Sequence, residues 1–263
     1  MSESLVLVRD ESRARILTLN RPAKRNALNL ELLMELDAAI EKAAEDPAIR
    51  SLIITGAGRG FSAGIDFMAL AAAGADGDTV KLRRFIQKLQ EAANKLNRIE
   101  KPVIAVLHGF CMGFATELTL ACDVRLAEAG CDINLAEVRL GLIPDLGGTT
   151  RLVRLVGIPR AKELIMTGKD IKAETAEKWN LVNQIAPEGQ GLALALKWHE
   201  DFCQGAPLAV GLSKIMLDRA FDLDTASSMA FEGITQSVLF GTQDVKEGVA
   251  ARIEKRPPQW SGK

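Results

Sequence analysis

Hydrophobic and polar positions along the chain fall into two periods. Short β-branched runs at 5–8, 16–19, 52–55, 103–107, 124–127 and 133–135 read as strands. Between them lie stretches of helical period. One spans 30–44, with Leu32, Leu33, Leu36, Ile40 and Ala43 on a single stripe, and another spans 79–97, with Leu82, Phe85, Ile86, Leu89, Ala93 and Leu96. Asn29 is placed to cap the first and Asp46-Pro47 to stop it; Asp78 or Thr79 would cap the second. Strands alternating with helices predict an α/β body. After about residue 147 the strand signal fades, and the remainder reads as helices at 147–156, 159–167, 173–179, 192–204, 207–220, 225–240 and 243–255. The Ala/Gly/Asp stretch 69–78 reads as a surface loop, and no internal repeat is visible.

Composition narrows the classes. A length of 263 residues, 48% of them hydrophobic, suits one large domain, or a domain with a helical appendage, around a sizeable core. A net charge of −1 argues against nucleic-acid binding, which normally needs a basic excess. No apolar run approaches the ~20 residues of a membrane span. The acidic start Met-Ser-Glu-Ser lacks a leader pattern, and four cysteines without CxxC spacing suggest a reducing, cytoplasmic setting rather than disulfides or zinc. With two histidines, carboxylates are the better candidates for acid–base work.

Three segments could carry chemistry. In 53–66 a strand runs into a glycine-dense loop ending Phe61-Ser62-Ala63-Gly64-Ile65-Asp66. Its GxGxG spacing fits a dinucleotide fingerprint poorly; a tight turn using glycine, or a loop presenting backbone N–H groups to a ligand, are the other readings. In 101–123 a buried-looking strand enters a small-residue turn and then a helix opening near Met112, whose free N–H groups would favour an oxyanion. Glu117 sits there amid apolar neighbours, either as an ion-paired structural acid or as a catalytic group. In 133–149 a strand ends at Glu137, and a Pro-Asp-x-Gly-Gly turn carries Asp145. Glu137 could pair with Arg139 at the surface, and Asp145 could cap the next helix. Together these acids and glycine turns suggest carboxylate chemistry beside an oxyanion hole, suited to proton transfer next to a thioester carbonyl.

In order and spacing these segments resemble the crotonase (enoyl-CoA hydratase/isomerase) superfamily over nearly the whole chain. Asn20-Arg21-Pro22 with Asn26-Ala27-Leu28, the 61–66 loop, Lys101 to Ala105, Glu117-Leu118 with Ala121-Cys122-Asp123, Gly141 to Pro144 with Gly147-Gly148-Thr149, and Glu247-Gly248 leading to Glu254-Lys255-Arg256-Pro257 carry the likeness. The resemblance implies a spiral of ββα units over 1–200 and a helical oligomerisation region over 201–263, assembled as a homotrimer or dimer of trimers. It implies an acyl-CoA thioester as substrate, so that coenzyme A is no separate cofactor; no metal is expected, since carboxylates and histidines do not cluster with ligand spacing. The thioester oxygen would meet the Ile65 and Phe114 N–H groups. Lys24, Arg25, Ala27, Ala63, Gly64, Asp66 and Gly113 would line the CoA site. By the same similarity, Glu117 would activate water and Glu137 would protonate C2, as in the hydratases of fatty-acid β-oxidation.

Two positions depart from the commonest hydratase pattern. Phe114 stands in a glycine run, so its amide serves only if its φ is negative, and its side chain could enter the acyl pocket. Asp145 stands where hydratases carry a small residue and dienoyl-CoA isomerases carry a third acid. Hydration is the expected reaction. Double-bond isomerisation through Glu137 and Asp145 is the alternative, and an acyl-CoA-binding protein without catalysis is another. His108 and His199 have no acid at triad-like spacing and read as structural.

Overall fold

A computed structural model of the chain describes residues 4–74 and 77–263. Strands β1 (Val6–Glu11) and β2 (Ala14–Leu19) form a hairpin. Its two-residue turn places Ser12 and Arg13 at φ 50° and 74°, the left-handed pair that matches strand twist. After α1 (Leu30–Glu45), β3 (Ser51–Gly56) pairs parallel with β2. Helices α2 (Phe67–Gly74) and α3 (Thr79–Arg98) precede β4 (Val103–Leu107), β5 (Phe110–Met112) and α4 (Phe114–Leu120). Then come β6 (Val124–Glu128), β7 (Asp132–Asn134), α5 (Gly148–Thr167), β8 (Ile171–Lys172), α6 (Ala173–Lys178) and β9 (Gln184–Ala186). The chain closes with α7 (Gly191–Cys203), α8 (Pro207–Arg219), α9 (Thr225–Phe240) and α10 (Gln243–Glu254).

The strands make a six-stranded sheet, β1-β2-β3-β4-β6-β9, and a three-stranded one, β5-β7-β8. Successive stretches of chain contribute one strand to each sheet and then a helix: β4, β5, α4, then β6, β7, α5. This is a spiral of ββα units. The larger sheet is covered on both faces, which is why its strands read as continuous apolar runs. Leu17, Leu52, Ile54, Ala105 and Leu107 join the main core, while their alternates Ile16, Ile53, Ile104 and Val106 pack under α7.

Several sequence expectations need correction. Strand structure continues past residue 147: β8 and β9 are two and three residues long, too short for a period-2 pattern to register. The turn expected at 108–112 contains β5. The 69–78 stretch is not all loop, because α2 runs to Gly74; Ala75 and Asp76 lie outside the described residues. Alanine is the best helix former, and the Asp66 carboxylate accepts from Met68 N at 3.0 Å to cap the run. Gly157, with φ 75° and ψ 164°, kinks α5 between the helices expected at 147–156 and 159–167.

Candidate active site

Two short segments lie side by side at the junction of the sheets. Ser62 bridges Cys111 in parallel, and Met112 N donates to Ser62 O at 3.1 Å. Leu28 N donates to Gly64 O at 2.8 Å and Asp66 N to Leu28 O at 2.9 Å. A parallel bridge of this kind uses the residues on either side of Ile65 and leaves the Ile65 N–H outside the ladder. Glycine makes the approach close: a Cβ on Gly64, at φ 88°, would lie 2.6 Å from Met112 O and 3.5 Å from Phe114 N. The left-handed turn before α4 falls on Gly113, at φ 52° and ψ −125°, so Phe114 is an ordinary first helical residue with negative φ. Its side chain is buried in the main core. Among the described residues, neither the Ile65 nor the Phe114 N–H has a protein acceptor.

The acids gather beside these amides. Glu117, on α4, is 1% exposed, and its Oε2 accepts from Leu146 N and Gly148 N, each at 2.8 Å. Gly148 opens α5 and its N-cap, Gly147, has no side chain to offer; Glu117 therefore caps α5 from another helix. Asp145 is not that cap. Glu137 does not end a strand but opens a 3₁₀ turn, Glu137–Leu140. Arg139 bonds Thr167 O instead of Glu137. Both Glu137 carboxylate oxygens are buried and have no hydrogen-bond partner among the described residues. A Cβ at Gly113 would lie 2.9 Å from Glu137 Oε1, so this carboxylate borders the turn that presents the Phe114 amide.

Burial dominates the electrostatics. The Glu117 carboxyl is pushed up to about 8, first by burial and then by the charge of Glu137, against the lowering pull of the Gly148 and Leu146 amides. Glu137 and Asp145 are also raised, each chiefly by burial. Asp145 acts on both glutamates through its charge, so the three acids form one electrostatic group.

The remaining expected positions gather along one edge. Ala63 N donates to Arg25 O at 2.9 Å, which brings 24–28 alongside 62–66. Arg25 stacks over the Phe110 ring at 4.9 Å, and Lys24 is exposed. Ala27 O accepts from Arg21, whose guanidinium also pairs with Asp66 at 3.0 Å. No cluster of three or more His, Cys, Asp or Glu side chains suited to a metal occurs among the described residues.

Sequence reasoning missed the groups that hold the acids and amides in place. Leu146 and Gly148 were visible only as a turn. Arg151 Nη1 grips Leu146 O at 2.7 Å while its Nη2 bonds Asn94 and Asn97 on α3, and Gln90 bonds Asp145 O at 2.6 Å. Asn134, at the end of β7, bonds Gly113 and Asp170. Polar residues at helical spacing on α3 (Gln90, Asn94, Asn97) were the available signal.

A ββα spiral with unpaired amides and buried acids at its junction defines the crotonase fold class. A sequence model of the family described as enoyl-CoA hydratase/isomerase matches residues 11–263. Relatives include the short-chain-enoyl-CoA hydratase of Clostridium acetobutylicum, 36% identical with 95% of each chain covered. The 2,3-dehydroadipyl-CoA hydratase of Escherichia coli is 35% identical over all of both chains. The crystal structure of enoyl-CoA hydratase from Bacillus anthracis superposes with a TM-score of 0.92 at 33% identity, over 99% of this chain and 100% of that one. The chain belongs to the enoyl-CoA hydratase/isomerase family of the crotonase superfamily.

Proposed function

We propose that the protein adds water across the 2,3-double bond of an enoyl-CoA thioester. The thioester oxygen sits between the Ile65 and Phe114 N–H groups, which favour the enolate charge that develops there; each such donor contributes ~3–4 kcal/mol in the transition state. Glu117 Oε2 is occupied by two amides, which leaves Oε1 to orient the water and take its proton as the oxygen adds to C3. Glu137 delivers a proton to C2. Acid–base groups work best with pKa values near the operating pH, and a carboxyl at about 8 meets that condition. Hydratases among the relatives support the reading. The observation that carries it is the Glu137 carboxylate, buried and without a partner beside the Phe114 turn: buried polar groups are normally satisfied, and substrate with its water would satisfy this one.

Crotonyl-CoA and a 3,5-dienoyl-CoA together test the proposal. Loss of absorbance from the conjugated thioester, with uptake of water, is the expected result for the first. Migration of conjugation without water uptake would instead favour isomerisation. That second reading is motivated by Asp145, whose charge reaches both glutamates. Silence with both substrates would leave only acyl-CoA binding.

Lys24, Arg25, Ala27, Ala63, Gly64, Asp66 and Gly113 form the CoA-binding edge in this proposal. Three further elements belong to it. Homotrimers or dimers of trimers would cover the apolar side chains exposed on and around α9, including Phe221, Met229, Ile234, Val238 and Phe240. Free cysteines suit the cytoplasm, and no described helix is long and apolar enough to cross a membrane. The reaction is the hydration step of fatty-acid β-oxidation.

A further inference from the structure

Gly113 is the hinge on which the Phe114 amide turns, and its backbone conformation, φ 52° and ψ −125°, is one that glycine alone adopts readily. The same freedom gives an unrestrained glycine many alternatives. Here the Gly113 N–H is forked between two acceptors on one residue, Asn134 O at 3.1 Å and Asn134 Oδ1 at 3.1 Å. The Asn134 side chain is itself fastened, because its Nδ2 donates to Asp170 Oδ1 at 2.6 Å. A carboxylate only accepts, so Asp170 compels the amide to turn its nitrogen outward and its oxygen to Gly113. Asn134 is 8% exposed and stands three residues before Glu137 in the same segment. One side chain thus ties the peptide before the Phe114 N–H to the strand that leads into the Glu137 turn.

We propose that Asn134, oriented by Asp170, is a positioning residue for the oxyanion site, acting through Gly113 on the direction of the Phe114 N–H. This rests on the hydratase reading above. Loss of the side-chain acceptor leaves the Asn134 carbonyl in place but frees the Gly113 peptide to rock, and the donor loses its aim at the thioester oxygen. Small displacements at such a donor are costly, since its contribution depends on being fixed before charge develops.

Two readouts separate positioning from mere stability: the kcat and KM of hydration, and the red shift of a cinnamoyl-CoA chromophore, which reports polarisation of its thioester carbonyl. Asn134→Ala is expected to lower kcat about 10- to 100-fold, with KM changed less than about threefold, and to shrink the red shift. Asp170→Ala is expected to shrink both in the same direction. Asp170→Asn, whose side-chain oxygen still accepts from Asn134 Nδ2, is expected to restore the shift and most of kcat. A full red shift in Asn134→Ala overturns the proposal, whatever happens to kcat. Should Asn134→Ala fail to fold, the Asp170 pair decides: an undiminished shift in Asp170→Ala overturns it equally. Wild-type protein that neither hydrates crotonyl-CoA nor shifts the chromophore would overturn the underlying hydratase reading instead.

Discussion

Two clusters of buried polar side chains lie on opposite faces of the large sheet, and they are satisfied to different degrees. Under α7, His199 is 1% exposed and has both ring nitrogens engaged. Ser12 O, an acceptor only, lies 2.7 Å from Nε2 and takes its proton, while Ser51 Oγ lies 2.7 Å from Nδ1. Among the described residues, both ring nitrogens of His199 thus have protein partners. On the other face, Glu117 has only one oxygen engaged, Glu137 has neither, and two nearby main-chain N–H groups lack acceptors among the described residues. Burial of a titratable group is thus common to both regions. Unmet hydrogen-bonding capacity is what sets the acid cleft apart, because a saturated group stabilises the fold and an unsaturated one costs stability until something binds.

The largest expected effect is on catalysis. Glu137→Gln should lower kcat for hydration by about 10²- to 10⁴-fold with no loss of thermal stability, since it removes an acid that makes no protein hydrogen bond. A melting temperature that falls along with activity would erase the contrast by giving Glu137 a structural duty.

Next in size is Gly64→Ala. The added methyl group meets Met112 O at 2.6 Å in a backbone at φ 88°, so stability should drop by about 2–4 kcal/mol in denaturant melts, with activity lost as the two segments separate.

Glu117 links the cleft to pH. Its carboxyl titrates at about 8 in the folded chain against 4.5 when unfolded. A raised folded value means that the neutral acid favours folding. Its stabilisation is complete below about pH 4.5 and is lost as pH rises through about 8. Glu117→Gln should therefore flatten the fall in stability between pH 5 and 9, as read from melting temperatures across that range, by roughly 2–4 kcal/mol at the alkaline end. An unchanged pH profile would mean that burial and its acidic neighbours do not raise the Glu117 carboxyl.

The smallest catalytic effect is expected on the saturated side. His199→Ala should cost about 1–3 kcal/mol of stability, by leaving the buried Ser51 hydroxyl and the Ser12 carbonyl without their partner, while kcat stays within about twofold of the parent. A large loss of kcat would show that the two faces are coupled through the sheet.

How far the chain could be read depended on the length and repetition of each signal. Helices such as Leu30–Glu45 and Thr79–Arg98 repeat their stripe over several turns and carry Asn29 and Asp78 as side-chain caps, so they stood out. Strand β8, with two residues, offers no period at all, and its pairing with β7 comes from proximity alone. In the site, Glu117 and Glu137 were recognisable as acids among apolar neighbours, and Asp145 as the acid of a Pro-Asp-x-Gly-Gly turn. Leu146 and Gly148 were not, since any residue but proline has an N–H and nothing in its side chain announces where that N–H points.

Residue types and their spacing alone determined the α/β order of elements, the glycines that permit left-handed turns, and the presence of acids amid apolar positions. Those properties are local: each depends on a side chain and its neighbours within a few turns. Only the folded chain decided that Glu117 would cap α5 from α4, that the Glu137 carboxylate would be buried with neither oxygen bonded among the described residues, and that Asn134 would reach Gly113 twenty-one residues back. Burial and hydrogen bonding are set by which segments meet, and that meeting is a property of the whole packed structure.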